Sequence, residues 1–573
     1  MTRSLALFLA VVLLACRQNE PADLVLRHAV VYATAIDSAP AEAVAIRDGR
    51  IVFVGSDSGA DWFIGRRTQV LDLEGRMVLP AFRDTHMHPR GGIQLAECTL
   101  DDLRTRQEVL DSVRRYAERH PELRWIRGSG WQLPVFPNAN PRKEWLDAIV
   151  PDRPVYLRAA DGHSAWVNSR ALELANITRA TRDPAGGRGR IERDSTGEPT
   201  GTLRESAMEL VSRYLPERTP EEIQAGIQRA LTMANRYGIT AVVDASADTT
   251  LLRAYAGLDS AGLLTARVLA SLYVDPDGSP QAEVDSLRAW RGRFRGQRYF
   301  SPSAAKLFVD GVIEAGTAAL LAPYLSGPGG GERGEPNWTP AALDTLVSAL
   351  DAAGFQLHAH AIGDRAIRMA LDAYAFARRL NGPRDARPII AHLELIDSAD
   401  VPRFGREGVI PSFQPLWAYA DDYINRLTIP VLGPARSRWL YPIGSVTRGG
   451  AHLSVGSDWP VTSMNPLEAI QVAVTRRGPT DSAGPPWIPE ETVDLGTILR
   501  AYTLGGAYAL GDEANAGTLE VGKIADLIVL DRNLYRIPPA DLHAVKVVLT
   551  LFEGREVWRA PELRPPPPSP TRN

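Results

Sequence analysis

Two histidines one residue apart, His86 and His88 in MVLPAFRDTHMH, close the first apolar run after a β-rich start of the chain. Residues i and i+2 of a β-strand project to one face, so a single strand can carry both imidazoles to one metal ion. On its own the pair is equally well read as two histidines in a loop. Further residues of compatible chemistry end other apolar runs: His360 ends FQLHAH, His392 follows PIIA and Asp458 follows HLSVGS, while Lys306 sits inside AAKLFVD. Imidazoles and a carboxylate form a ligand set for zinc, with Mn, Fe or Co compatible. An ion held there would activate water as a nucleophile, with Asp458 able to accept its proton and pass it on. A lysine in an apolar strand needs its charge neutralised or paired. A carbamate on Lys306 would do this and would serve as a metal bridge; an ion pair with an acid such as Asp310 is the structural alternative. His358 shares HAH with His360 and reads as a supporting or core residue behind the ligand.

These residues are scattered over several hundred positions, so something must gather them. Eight apolar runs are candidate strands: MVLPAFRD, ITAVVDA, ARVLASLYV, AAKLFVD, FQLHAH, PIIAHL, GVIPSFQ and HLSVGSD. Helical patterns such as EEIQAGIQRALTMANRYG and AALDTLVSALDAAG lie between several of them and end in Gly. Strand and helix in alternation argue for βαβ units, and eight such strands close an α/β (β/α)8 TIM barrel whose strand C-termini meet at one mouth. The barrel is expected over residues 77–504, interrupted after its first strand by an insertion, residues 89–237. Insertions at that end shape a pocket or lid. His163, in DGHSAWVN, is a candidate to hydrogen-bond the substrate and equally a structural histidine. Trp131 and Trp166 are candidates for a pocket wall or for the insertion's core, and Gln414 and Trp417 stand in the same balance.

Residues 22–76 and 505–560 are rich in β-patterns, with Asp48-Gly49 and Glu553-Gly554 as turns, and point to one composite β-sandwich built from both chain ends. Before them, Arg3, the apolar run over residues 5–14 and Leu13-Leu14-Ala15-Cys16 have the form of a lipoprotein-type signal peptide, residues 1–16, with Cys16 the lipidated residue. Cleavage at an ordinary signal-peptidase site is the alternative. Export to the bacterial cell envelope, periplasmic or anchored in the membrane through lipid alone, follows as an expectation. Only two cysteines exist, so disulfides do not hold the fold, and Cys98 reads as a small buried residue. Residues 561–573 form a Pro-rich tail. With 64 Lys+Arg against 68 Asp+Glu over 573 residues, the net charge of −4 gives no reason to expect nucleic acid as a partner. A small-molecule substrate fits, and a homo-oligomer is compatible.

The order LPAFRDTHMHP, DGHSAWVNS, GEPTGTLRE, AKLFVDG, HAIGDRA, VGSDWPV, AYTLGGAYAL and GTLEVGKIADLIVLD resembles the amidohydrolase superfamily, and within it amidohydrolase family 3, which includes N-substituted formamide deformylase-like members. The resemblance runs over about residues 22–558. It implies a metal-dependent hydrolase cleaving a non-peptide C–N bond in an N-acyl, formamide or cyclic amide substrate. It also implies that His86, His88, His360, His392 and Asp458 hold one or two divalent ions, zinc in the first instance, with Lys306 as a carboxylated bridge. An ester or lactone hydrolase on the same site, or a non-catalytic metal-binding lipoprotein, is the alternative. Ala81, Arg83 and Ala391 depart from the family's usual residues, and Arg83 is expected to bear on substrate range.

Overall fold

The computed structural model describes residues 20–34, 39–101, 103–184, 189–327, 329–480 and 484–563. Cys16 and the signal segment, and residues 564–573 of the tail, lie outside the described residues. Eight parallel strands form the central sheet. In chain order they are β1 (Phe82–Met87), β2 (Ile239–Ala247), β3 (Arg267–Tyr273), β4 (Phe300–Phe308), β5 (Gln356–Ala361), β6 (Ile389–His392), β7 (Ile410–Phe413) and β8 (Ser454–Val455). Each is paired with the next in sequence, and β1 pairs with β2. The result is a nearly closed (β/α)8 barrel.

Closure between β8 and β1 is made just past the strand ends. The Asp458 amide donates to the His86 carbonyl at 2.7 Å and the His88 amide to the Trp459 carbonyl at 2.8 Å. Gly456 permits this approach: a Cβ there would lie 2.6 Å from the His86 nitrogen. Inside the seam, Asp84 accepts from Ser457 Oγ at 2.6 Å and from the Ser457 amide at 3.1 Å. The same contacts that close the barrel therefore fix His86, His88 and Asp458 relative to one another.

The helix Pro220–Arg236 shows why the outer layer forms. Thr219 and Glu222 make a reciprocal capping box, which satisfies two otherwise free amides at its start. Ile223, Ile227, Ala230, Leu231 and Ala234 recur at helical spacing and are all buried in the core shared with the barrel. Side chains of that size each contribute on the order of 1.5–3 kcal/mol when fully buried, Ala less.

The run MVLPAFRD is two strands, not one. Met77–Pro80 pairs with Leu527–Leu530 and belongs to a five-stranded sheet, whereas Phe82–Met87 belongs to the barrel. Pro80 lacks an amide hydrogen and Ala81 donates to the Asp526 carbonyl, so the ladder passes from one sheet to the other at this point. That five-stranded sheet holds Val30–Val31 and Met77–Pro80 from the N-terminal side with Leu527–Leu530, Val547–Phe552 and Arg555–Arg559 from the C-terminal side. A four-stranded sheet of Leu24–Arg27, Ala43–Arg47, Arg50–Gly55 and Gln69–Asp72 packs with it around Leu26, Ile46, Leu527 and Leu549.

The segment between β1 and β2 carries a six-stranded sheet of its own, running from Cys98–Thr99 to Pro199–Glu205. Trp131, Phe136 and Trp166 form its core with Cys98, each at most 2% exposed. Among the described residues no helix is long and apolar enough to cross a membrane.

Candidate metal centre

His86 is the penultimate residue of β1, β6 ends in His392, and Asp458 follows β8. Ligand atoms of these three residues all lie within 4.8 Å of one another, and all three residues are buried. Asp458 Oδ1 is 3.0 Å from His88 Nε2 and 3.4 Å from His86 Nε2. Neither approach has hydrogen-bond geometry, so this buried oxygen has no hydrogen-bond partner. An oxygen of that kind is costly to bury unless something positive sits against it.

Each imidazole is held from behind. His86 Nδ1 pairs with His358 Nε2 at 2.9 Å, and His358 Nδ1 with Ser271 Oγ at 2.9 Å, which leaves His86 Nε2 turned toward Asp458. His392 Nδ1 lies 3.0 Å from Gln414 Oε1. Its ring is stacked on Trp417 at 5.6 Å between centroids. Burial, followed by nearby cationic groups, holds His86, His358, His360 and His392 well below the ordinary imidazole pKa. Neutral imidazoles are the form that binds metal. Lys306 Nζ lies 3.4 Å from His86 Nε2, and burial brings its amine down to about 7. It makes no ion pair with Asp310, whose carboxylate instead accepts from the amides of Ala319, Ile362 and Gly363. The donors present, neutral imidazole nitrogen and an unpartnered carboxylate oxygen, fit a divalent ion.

His360 is adjacent but turned. Its ring lies 4.4 Å from that of His392, while its Nε2 is directed at the Gly311 carbonyl, 3.1 Å away. His163 stands over the opening, 5.3 Å from the His360 ring between centroids, with Nδ1 2.8 Å from Glu205 Oε2. Burial opposes a charge on His163, but the attraction and hydrogen bond of Glu205, with Asp161, overcome it and push the pKa up to about 9. His392, Asp458 and Glu205 all have positive φ, at 78°, 54° and 48°. Non-glycine residues rarely adopt that conformation, and such strain clusters at functional sites.

Two of the pocket candidates lie elsewhere. Trp131 is fully buried in the insertion's core, where its indole donates to the Leu157 carbonyl at 2.9 Å, so it is not a pocket wall. Gln414 is 1% exposed and touches His392 from behind rather than facing substrate. Arg83 is also remote from the opening. It sits near the start of β1, 1% exposed, with Nη2 3.3 Å from Asp512 and 4.0 Å from Asp526. A side chain at that end of the strand points to the base of the barrel, away from the catalytic face.

The cavity above the centre encloses about 2420 Å³ and is lined by His86, His88, His163, Lys306, Asp458 and residues of the insertion. That exceeds the roughly 300–1,000 Å³ of ordinary small-molecule sites. Sequence reasoning did not single out three acids on its wall, Glu205, Glu314 and Glu394. Glu205 is the last residue of the GEPTGTLRE motif and Glu394 lies two residues past His392, so position alone was the available signal.

A (β/α)8 barrel whose mouth gathers buried neutral imidazoles around an unpartnered carboxylate defines a metal-dependent hydrolase. The chain belongs to the amidohydrolase family, whose model matches residues 69–558. It is 32% identical over 557 residues to Protein LONG AFTER FAR-RED 3 of Arabidopsis thaliana, covering 94% of this chain and 92% of that protein. It is 28% identical over 544 residues to the N-substituted formamide deformylase of Arthrobacter pascens, covering 93% of this chain and 97% of the relative. An uncharacterized metal-dependent hydrolase from Pyrococcus horikoshii OT3 superimposes with a TM-score of 0.70 at 25% identity, covering 90% of this chain and 99% of that one.

Proposed function

We propose that the protein hydrolyses a non-peptide carbon–nitrogen bond, in an N-acyl, formamide or cyclic amide substrate, at the centre made by His86, His88, His392 and Asp458. The observation that carries this reading is the Asp458 oxygen left without a hydrogen-bond partner among imidazoles at the barrel seam. The likeness to a formamide deformylase over most of both chains supports the choice of bond. A divalent ion, zinc first among the candidates, supplies Lewis acidity when bound and makes water a nucleophile at neutral pH.

The chain's own residues do the rest. Asp458 accepts the proton of the attacking water and returns it to the leaving nitrogen, the dual role a carboxylate at that position can fill. His163, charged through Glu205, donates to the substrate oxygen as negative charge develops there. His358 and Gln414 hold His86 and His392 in register. An amine brought down to about 7 is substantially neutral at pH 7, so Lys306 can add carbon dioxide, forming an N–C bond and releasing a proton, to give a carbamate ligand.

Metal analysis combined with hydrolysis of N-alkylformamides, N-acyl amino acids, cyclic amides and esters tests this. Amide turnover that depends on metal is expected; ester or lactone turnover alone would move the function to that class, and bound metal without any turnover would favour a binding protein. Intact mass of the protein kept in bicarbonate, showing a gain of one carbon dioxide that is lost in Lys306→Met, checks the carbamate. We also assign the protein to the cell envelope on the strength of residues 1–16. Fatty-acid labelling of the wild type but not of Cys16→Ser is the expected result.

A further inference from the structure

One cluster in the cavity is not used by this chemistry. Glu314, in the loop after β4, and Glu394, just after β6, both line the cavity. Glu314 Oε1 accepts from Thr428 Oγ1 at 2.5 Å, and the Tyr441 amide donates to the Glu394 carbonyl at 2.8 Å. Glu394 is only 3% exposed, yet its Oε1 has no hydrogen-bond partner. Among the described residues neither glutamate is in an ion pair with Lys or Arg, in contrast to the buried acids at the barrel base. The surroundings add to the negative field. Asp161, Asp310 and Asp421 line the same cavity, and Asp161 Oδ2 is itself buried without a hydrogen-bond partner. The cationic His163 is engaged by Glu205 on the other side.

A buried carboxyl oxygen with no donor, in a field of carboxylates, is an incomplete set of interactions. What completes it has N–H donors and positive charge. Tyr423 and Tyr441 also line the cavity, and aromatic walls suit a cation. We propose that Glu314 and Glu394 form a subsite beside the metal centre for an ammonium group on the substrate. The subsite rests on the reading of this cavity as a hydrolase active site, and it narrows the substrate to amides of di- or polyfunctional amines. It also accounts for a cavity much larger than a simple formamide needs.

The test uses the full metal-loaded protein. The monoformamide of a diamine is compared with the formamide of an alkylamine of equal length, and calorimetry measures binding of n-butylammonium, butyltrimethylammonium and butyrate. The diamine derivative is expected to have a kcat/KM higher by about tenfold or more, and n-butylammonium to bind better than the other two probes. In Glu314→Gln the preference and the butylammonium binding fall by about the same factor, and Glu314→Asp restores part of both. Equal turnover of the two formamides, with butylammonium bound no better than butyltrimethylammonium, would overturn the subsite while leaving the hydrolase intact. Absence of amide turnover with butylammonium binding that is lost in Glu314→Gln would sink the hydrolase reading and keep the subsite.

Discussion

The two ends of the barrel treat buried charge in opposite ways. At the base, Arg267 bridges Asp526 and Glu553, Arg298 and Tyr299 meet Glu553 at 2.6 and 2.7 Å, and Arg83 faces Asp512 and Asp526. Apart from one nitrogen of Arg83, each charge in that network has a partner. At the mouth, Asp458, Glu394, Asp161 and Gln414 each keep a buried polar atom unpartnered. Since buried unpaired groups are expensive, a fold tolerates them where a ligand will complete them. The base is built to hold the barrel to the sandwich, and the mouth is built to receive something.

If this contrast is right, substitutions at the mouth should remove function before stability, and those at the base the reverse. The largest effect is expected from Asp458→Asn: kcat should fall by about 10³–10⁴-fold with metal content retained, as measured by steady-state rates and elemental analysis. Full turnover in that variant would end the proton-carrier role. Next comes Arg83→Ala, which leaves Asp526 with less compensation in a buried setting. A loss of about 3–5 kcal/mol in denaturant unfolding is expected, with kcat of the folded fraction within about twofold of wild type. A changed substrate profile instead would return Arg83 to the specificity role.

Smaller effects sharpen how the mouth is supported. His358→Ala and Gln414→Ala each remove the group behind a ligand and should weaken metal affinity by about 10–100-fold in a competition assay with a chelator. The pH dependence follows from His163, whose pKa of about 9 in the folded protein exceeds the ordinary value of 6.5. Its contribution to stability is therefore full below about 6.5 and is lost as pH rises through about 9. The same deprotonation removes the donor to substrate, so kcat/KM should fall on the alkaline side near pH 9. In Glu205→Gln that limb should move to lower pH; an unmoved limb would show that His163 is not the group responsible.

Much of the barrel was readable because its signal is periodic. Alternating strands and helices fixed the architecture, and the rule that parallel strands share one C-terminal face gathered His86, His392 and Asp458 without any contact being known. The split of MVLPAFRD was not readable, because one residue alone separates Met77–Pro80 from Phe82–Met87 and it is the partner strand Leu527–Leu530 that assigns the first to another sheet. Trp131 looked the same in a wall as in a core, since both are apolar, and the six-stranded insertion sheet decided it. The orientation of His360 depends on the carbonyl of Gly311, a loop atom that no residue pattern announces. Glu314 escaped notice for a similar reason: it lies in the loop after β4, where acids are ordinarily solvated, and only tertiary packing brings it to Glu394.

The five-stranded sheet joins residues 30–31 and 77–80 to residues 527–559. While the chain is being synthesised, the edge of Met77–Pro80 has to wait for its antiparallel partner, Leu527–Leu530, until about 450 further residues have been made, the separation of the two strands along the chain. Domains usually fold as units from the N-terminal side during translation, but this one cannot. The barrel can assemble behind that open edge, yet the closing step belongs to the strands of residues 527–559, made after all eight barrel strands. A stalled or truncated product would thus present an apolar, unpaired strand edge, a marker that chaperones and proteases can act on.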